Sequence, residues 1–284
     1  MSSKTKGILY VITAAFGFSM MSVFVNLAGD MSTFQKAFFR NAVALLLVAG
    51  IMLKNHICFI PKKEYLPALI GRAVFGTIGL LCNFYAIDRL VLADANMLNK
   101  LSPFFAIIFS AFILKEKPTS VQILGISTAF LGSLFIIKPT GSGYATLPAA
   151  AGAFGGLSAG LAYTFVRYLG KKKANSFLII FFFSAFSCIL CLPLMIANFS
   201  PFTPKSFLCL IGAGASACLG QFGITKAYVY APAKEISVYD YTQVLFATLF
   251  GCFLGQFPDF LSIIGYILIC GAGIAMFFYN KNRS

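Results

Sequence analysis

The sequence predicts an all-α integral membrane protein with ten transmembrane helices arranged as a five-plus-five inverted repeat. Three observations predict this fold: an apolar composition, ten apolar stretches between short loops, and a second half that aligns with the first. Of the 284 residues, 59% are hydrophobic and only 11% are charged. A soluble domain of that composition would have an apolar surface, so we expect the chain to lie in a lipid bilayer.

The apolar stretches approach the length of about 20 residues that a helix needs to cross a bilayer. Polar loops rich in proline and glycine separate them, and no loop is long enough to form a soluble domain. The predicted spans are 7–27, 34–53, 65–87, 91–114, 121–137, 147–168, 176–197, 206–229, 235–256 and 261–279.

Basic residues are distributed unequally between the two sets of alternate loops. Loops on the side of the N-terminus carry 13 lysines and arginines, and the opposite loops carry 4. The positive-inside rule therefore predicts that both termini are cytoplasmic, in a cytoplasmic (inner) membrane. The same loops account for the net charge of +14, so we do not expect nucleic acid as a partner.

The two halves of the chain, residues 1–139 and 140–284, align at a nearly constant offset. Identical pairs at an offset of 141 residues include Phe24 and Phe165, Gly71 and Gly212, and Gly79 and Gly220. Each half has an odd number of spans, so the halves must enter the membrane in opposite senses. Many secondary transporters are built in this way and bind their substrate near the midplane, between the repeats.

Four short motifs lie within or next to the second, fourth and fifth predicted spans. They are Phe38-Phe39-Arg40, Leu101-Ser102-Pro103, Leu114-Lys115-Glu116-Lys117 and Gln122-Ile123-Leu124-Gly125. Together with the ten spans, they resemble the drug/metabolite transporter superfamily, EamA type. The resemblance covers nearly the whole chain and implies transport, but members move substrates as different as amino acids, nucleobases, choline-like cations, nucleotide-derived metabolites and drugs. The second half departs from the first, because Phe181 stands at the position equivalent to Arg40.

Ionisable residues inside the spans are candidates for function, since a charge within the bilayer is costly. Lys100 is the deepest cation, and Asp240 lies in the ninth span at the position equivalent to Asn99. If the halves face each other across a twofold axis, Lys100 and Asp240 approach one another near the centre. We predict that they line a cavity, where they bind a charged or zwitterionic substrate or exchange a proton. The alternative is a fixed ion pair that only neutralises both charges.

Polar residues of neighbouring spans complete the candidate site. The candidate substrate-binding residues are Lys100, Asp240, Asn96, Tyr239, Gln243, Tyr163, Asn83 and Gln221. Any one of the polar residues around the ion pair could equally serve ordinary helix packing.

Three arginines lie in the predicted spans outside this set. Arg72 and Arg167 are close to the cytoplasmic ends of their spans, which favours snorkelling of their side chains to the lipid headgroups. Arg40 is deeper in its span, and both a structural and a functional role stay open for it.

Several classes of function are disfavoured by the motifs. The single histidine, His56, lies in a loop, and the sequence has no phosphate-binding glycine loop, so we expect no metal, cofactor, ATP drive or enzyme activity.

The expected function is secondary transport of a small polar or amphipathic metabolite, with an amino-acid-like substrate favoured, by a monomer or weak dimer. The family resemblance favours export by alternating access, coupled to protons or run by exchange. The alternatives are an importer or exchanger of an organic cation or nucleotide-derived metabolite, with Asp240 as counter-ion, a channel, and a membrane-embedded lipid enzyme.

Overall fold

The computed structural model describes residues 3–115, 119–137, 146–231, 236 and 239–281. Within these residues the regular structure is helical, with no strand. The elements are α1 (Ser3–Leu27), α2 (Thr33–Lys54), a 3₁₀ turn (Lys63–Tyr65), α3 (Leu66–Ile87), α4 (Leu92–Asn99), α5 (Ser102–Ile113), α6 (Ser120–Ile137), α7 (Thr146–Lys171), α8 (Ser176–Ala197), α9 (Pro204–Tyr230), α10 (Thr242–Phe253) and α11 (Phe260–Lys281). The predicted boundary between the repeats, at residues 139 and 140, lies outside the described residues. So do five charged residues of the predicted loops: Glu116, Lys117, Lys138, Lys234 and Arg283.

Among the described residues, seven helical stretches are long and apolar enough to cross a membrane. These stretches are α1, α2, α3 with its preceding turn, α4 with α5, α7, α8 and α9, and shorter apolar helices lie in α6, α10 and α11. Large apolar side chains such as Leu46, Ile189 and Phe253 are more than 70% exposed, as expected for contact with lipid. The lengths and exposure support an integral, multi-pass membrane protein.

The predicted fourth span is interrupted near its middle. α4 ends at Asn99 and α5 starts at Ser102, with Lys100 and Leu101 in a tight turn between them. The cause is Pro103, which has no N–H to donate to the carbonyl of Asn99 and is well placed at the start of a new helix. The two helices together still form one apolar stretch, Leu92–Ile113, that is long enough to cross a membrane.

A second interruption lies in the predicted ninth span. Ile236, Tyr239 and Asp240 are helical, Tyr241 is in a turn, and α10 begins at Thr242. At the offset of 141 residues, Tyr241 is the counterpart of Lys100. The two interruptions therefore occupy equivalent positions in the aligned halves.

The helices also pack in pairs that follow the offset. α1 lies along α9, and its counterpart α7 lies along the counterpart α3. α2 contacts α8, and α6 contacts α11, so each of these helices packs on its own counterpart. The broken span formed by α4 and α5 contacts α7, and its counterpart α10 contacts α1.

Individual side-chain contacts repeat at the same offset. A Cβ atom added to Gly71 would overlap the ring of Phe165, and one added to Gly212 would overlap the ring of Phe24. Each residue of the first contact lies 141 positions from its counterpart in the second. The absent side chain at each glycine leaves room for the ring of the facing helix.

Among the described residues, buried apolar side chains form two large clusters and two small ones. The larger lies mainly among α1, α3, α7, α8 and α9, and the second joins α4, α5, α6, α10 and α11.

Candidate functional site

Lys100 and Asp240 form a buried ion pair at the two helix interruptions. Lys100 Nζ lies 2.8 Å from Asp240 Oδ1, and the side chains are 4% and 5% exposed. The predicted approach of these residues is confirmed. The two groups are close but poorly aligned, and among the described residues Asp240 Oδ1 accepts no hydrogen bond. The two side chains are therefore held together by electrostatic attraction and not by a hydrogen bond.

Asn96 connects the two interrupted helices with α1. Its Oδ1 accepts hydrogen bonds from Gln243 Nε2 at 2.6 Å and from Ser22 Oγ at 3.2 Å. Its Nδ2 donates to the carbonyl of Leu92 at 2.7 Å. Ser19 Oγ donates to the carbonyl of Gln243 at 2.9 Å, which holds the start of α10 against α1. The hydrogen-bonding groups of Asn96 are therefore occupied within the protein.

A cavity of about 60 Å³ lies next to this network. By the usual measure, in which one water takes about 10–15 Å³, it has room for roughly four waters. Helices of both halves surround it. Its polar lining consists of Arg40, Arg72, Asn83, Asn99, Tyr163, Gln221 and Gln243. Phe18, Met21, Leu80 and Phe183 contribute apolar surface.

Four of the eight candidate residues line the cavity: Asn83, Tyr163, Gln221 and Gln243. The other four do not belong to its lining. Asn96, Lys100 and Asp240 are buried. Asn96 accepts a hydrogen bond from the lining residue Gln243, Lys100 follows the lining residue Asn99, and Asp240 pairs with Lys100. Tyr239 is partly buried and packs against the larger apolar cluster.

Arg72 is a lining residue that sequence reasoning missed. It is only 3% exposed, its Nη2 donates to Gln221 Oε1 at 2.9 Å, and its Cζ lies 4.1 Å from the ring centroid of Phe183. The predicted snorkelling to the headgroups is therefore wrong. The guanidinium instead folds back over Gly76, one turn later on α3, where a Cβ atom would overlap it. In the sequence, the glycine four residues after this arginine is the feature that could have indicated a buried guanidinium, because it leaves room for one.

Arg40 approaches the same aromatic ring from α2. It is 1% exposed, its Cζ lies 5.6 Å from the ring centroid of Phe183, and its Nη1 donates to Asn41 Oδ1. Guanidinium groups near an aromatic ring are stabilised by the ring quadrupole. Arg167, by contrast, is outside the cavity and donates to the carbonyl of Tyr228 at 3.3 Å.

A second ion pair, between Lys36 and Asp88, joins the start of α2 to the end of α3. The Asp88 side chain is 16% exposed, and the pair borders a separate polar pocket. Burial of the Asp88 carboxyl raises its pKa, although Lys36 beside it acts in the opposite direction. Within the described part of the chain, no cluster of three His, Cys, Asp or Glu residues could hold a metal ion.

Two consecutive segments of the chain, residues 5–138 and residues 147–279, match the family model described as the EamA-like transporter family. The chain belongs to this family. The two matches together span nearly the whole sequence, so the predicted family membership is confirmed.

Relatives of this EamA-family chain are named as transporters. It is 33% identical over 274 residues to the pseudopaline exporter CntI of Pseudomonas aeruginosa (strain UCBPP-PA14), with 95% of both proteins covered. It is 26% identical to the human solute carrier family 35 member G1, covering 94% of this chain and 78% of that protein. A solved crystal structure matches with a TM-score of 0.71 at 16% identity, covering 97% of this chain and 98% of the other, which shows the fold alone. The EamA-family chain is therefore a multi-pass membrane transporter of a small molecule and not an enzyme.

Proposed function

We propose that this EamA-family chain is a secondary transporter that moves a small polar or amphipathic metabolite by alternating access. The observation that carries the proposal is the polar cavity between the two halves, next to two interrupted helices. Discontinuous helices at the middle of a repeat interface are the usual binding elements of secondary transporters, because their free backbone groups and side chains can contact a polar substrate.

The inverted repeat of ten spans is part of this proposal, with residues 1–139 and 140–284 as its units. It is supported by the two consecutive matches to the family model and by contacts that recur at one offset, such as Gly71 with Phe165 and Gly212 with Phe24. Two similar units of opposite orientation can exchange conformations, which would open the cavity to either side in turn.

The size of the cavity requires such a movement. Pockets that hold drug-sized ligands are roughly 300–1,000 Å³, whereas this cavity has about 60 Å³. The described conformation accommodates a polar group but not a whole metabolite. Helices lining the cavity must therefore separate during transport.

We further propose export from the cytoplasm across the inner membrane, with both termini cytoplasmic. The exporter named among the relatives and the excess of basic residues in one set of loops support this orientation and direction. The Lys100–Asp240 pair is the candidate for proton coupling, and counter-exchange is the other mode. An organic cation is less well supported as substrate, because Lys100 already neutralises Asp240 and the cavity carries two arginines.

The proposal is tested by counterflow in proteoliposomes. Purified protein is reconstituted, and labelled amino acids, dicarboxylates, nucleobases, choline and nucleotides are offered with and without the same unlabelled compound inside. We expect saturable flux of at least one compound that is accelerated from the trans side. Flux of none, or fast flux without saturation or counterflow, would contradict alternating access and favour another function or a channel.

A matched pair of variants on α7 supplies the control. Ala162 lines the cavity, whereas Ala150 is exposed on the same helix. Ala162→Phe should fill the cavity and abolish counterflow, while Ala150→Phe should retain it. Both variants are compared at equal amounts of monodisperse protein, so that a folding defect is separated from a transport defect.

A further inference from the structure

We propose that Arg40 and Arg72 bind an acidic group of the substrate, a carboxylate or a phosphate, inside the cavity. The inference rests on the proposed transport function and names the chemical class of its substrate. Both arginines line the cavity, and both guanidinium groups lie over the ring of Phe183. Their Cζ atoms are 5.6 and 4.1 Å from the same ring centroid, so the separation of the two groups cannot exceed the sum of those distances.

The charges around the cavity are unbalanced. Among the described residues, Lys100 is paired with Asp240 and Lys36 with Asp88, but no carboxylate pairs with Arg40 or Arg72. The Nε atoms of both arginines are buried without a hydrogen-bond partner. A buried charge without a partner is costly, and two like charges on one cavity increase that cost. An anion in the cavity that both arginines line would supply the missing partner.

The type of side chain fits this ligand. A guanidinium presents planar pairs of N–H donors that match the oxygen atoms of a carboxylate or a phosphate, often through two parallel hydrogen bonds. Arg72 uses Nη2 on Gln221 and Arg40 uses Nη1 on Asn41. These contacts orient the guanidinium groups and leave each Nε free to donate.

The rest of the lining favours a substrate that also donates hydrogen bonds. Asn83 Oδ1 is buried and accepts no hydrogen bond from the described residues. An ammonium or hydroxyl group of the same substrate would satisfy it. A metabolite with an acidic group at the arginines and a donor at Asn83 therefore complements the cavity better than a cation or an apolar compound does.

Binding to the purified protein tests this site directly. The probes are citrate, L-glutamate and inorganic phosphate, with glycerol and choline, which have no acidic group, as comparison compounds, measured by calorimetry and thermal stabilisation. We expect at least one of the anions to bind, and glycerol and choline to bind at least tenfold more weakly than it. Charge-assisted hydrogen bonds are strong enough for Arg72→Gln or Arg40→Gln to weaken anion binding roughly tenfold or more. Phosphate binding without carboxylate binding would assign the site to phosphorylated substrates.

Two controls separate charge and geometry from folding. Arg167→Gln removes an arginine outside the cavity and should leave anion binding unchanged. Gly76→Ala keeps both charges but displaces the Arg72 guanidinium, so it should weaken binding, whereas Gly50→Ala has nothing within 4 Å of the added atom and should not. No binding of any anion to the wild type, or equal binding by both glutamine variants, would overturn the inference.

Counterflow of the same variants distinguishes the two proposals. Saturable counterflow confined to compounds without a carboxylate or phosphate group would support transport and overturn the anion site. Arginine-dependent anion binding without counterflow of any compound would support the anion site and contradict transport. Counterflow of an acidic compound that is lost in Arg72→Gln and retained in Arg167→Gln would support both.

Discussion

Lys100 Nζ lies 2.8 Å from Asp240 Oδ1, and the two residues come from equivalent interruptions in the two halves of the chain. The ion pair therefore joins the halves beside the turn between α4 and α5 and the turn that precedes α10. Because neither charge can reach water, each depends on the other.

We expect Asp240→Asn and Lys100→Met each to destabilise the protein by about 3–5 kcal/mol, because each leaves a buried charge without its partner. The double variant, Lys100→Met with Asp240→Leu, should recover much of that loss, since replacing both charges by apolar groups is often neutral. Apparent melting temperatures of detergent-solubilised protein measure the effect. Equal stability of the wild type and the single variants would show that neither charge needs the other for the protein to remain folded.

Lys36 and Asp88 provide a comparison within the same chain. Asp88 is more exposed than either member of the central pair, so water can solvate the carboxylate when its partner is lost. Lys36→Met should therefore lower the melting temperature less than Lys100→Met does.

Asn96→Leu should destabilise the protein by about 1–3 kcal/mol, because it leaves Gln243 Nε2 without its acceptor in a buried position. Ser22→Ala should cost less, since Ser22 Oγ is within hydrogen-bonding distance of the Phe18 carbonyl as well as Asn96, and its removal leaves Asn96 Oδ1 with a donor. Thermal unfolding of the two variants tests this order. A larger loss for Ser22→Ala would mean that Asn96 is not the centre of the network.

The close packing of α1 on α9 predicts a graded series of glycine variants. A Cβ atom on Gly17 would lie 2.7 Å from the backbone nitrogen of Gly220, which cannot rotate away, so Gly17→Ala should cost about 1–3 kcal/mol. Gly155→Ala meets its nearest atom at 3.1 Å and should cost less, and Gly50→Ala meets none within 4 Å. Yields of monodisperse protein and melting temperatures should follow this order. Loss of stability in Gly50→Ala alone would contradict it.

The features that could be predicted from the sequence depend on local or repeated patterns. The approximate bounds of the helices follow from the length of each apolar run. The interruption after Asn99 follows from Pro103, because a proline disturbs helical hydrogen bonding within a few residues of itself. The approach of Lys100 to Asp240 followed from the offset between the halves, which relates distant residues without a structure.

The features that could not be predicted depend on side chains from several helices. Arg72 is buried because Gln221, Phe183 and the space above Gly76 surround its guanidinium, and Gln221 lies 149 residues away. Because Arg72 lies near the end of its span, the sequence predicted instead that its side chain would reach the lipid headgroups. The hydrogen bonds that Asn96 Oδ1 accepts could not be recognised, because its partners Ser22 and Gln243 come from two other helices.

Proton coupling gives a prediction that separates the two roles of Asp240. If Asp240 carries the coupling proton, it must part from Lys100 and become protonated on one side of the membrane, while exchange of substrate needs no net proton movement. Asp240→Asn should then abolish accumulation driven by a pH gradient in proteoliposomes but retain counterflow. Asp88→Asn removes a paired carboxylate away from the cavity and should retain both activities. Gradient-driven accumulation by Asp240→Asn at the wild-type level would exclude Asp240 as the proton carrier and leave the ion pair with a structural role.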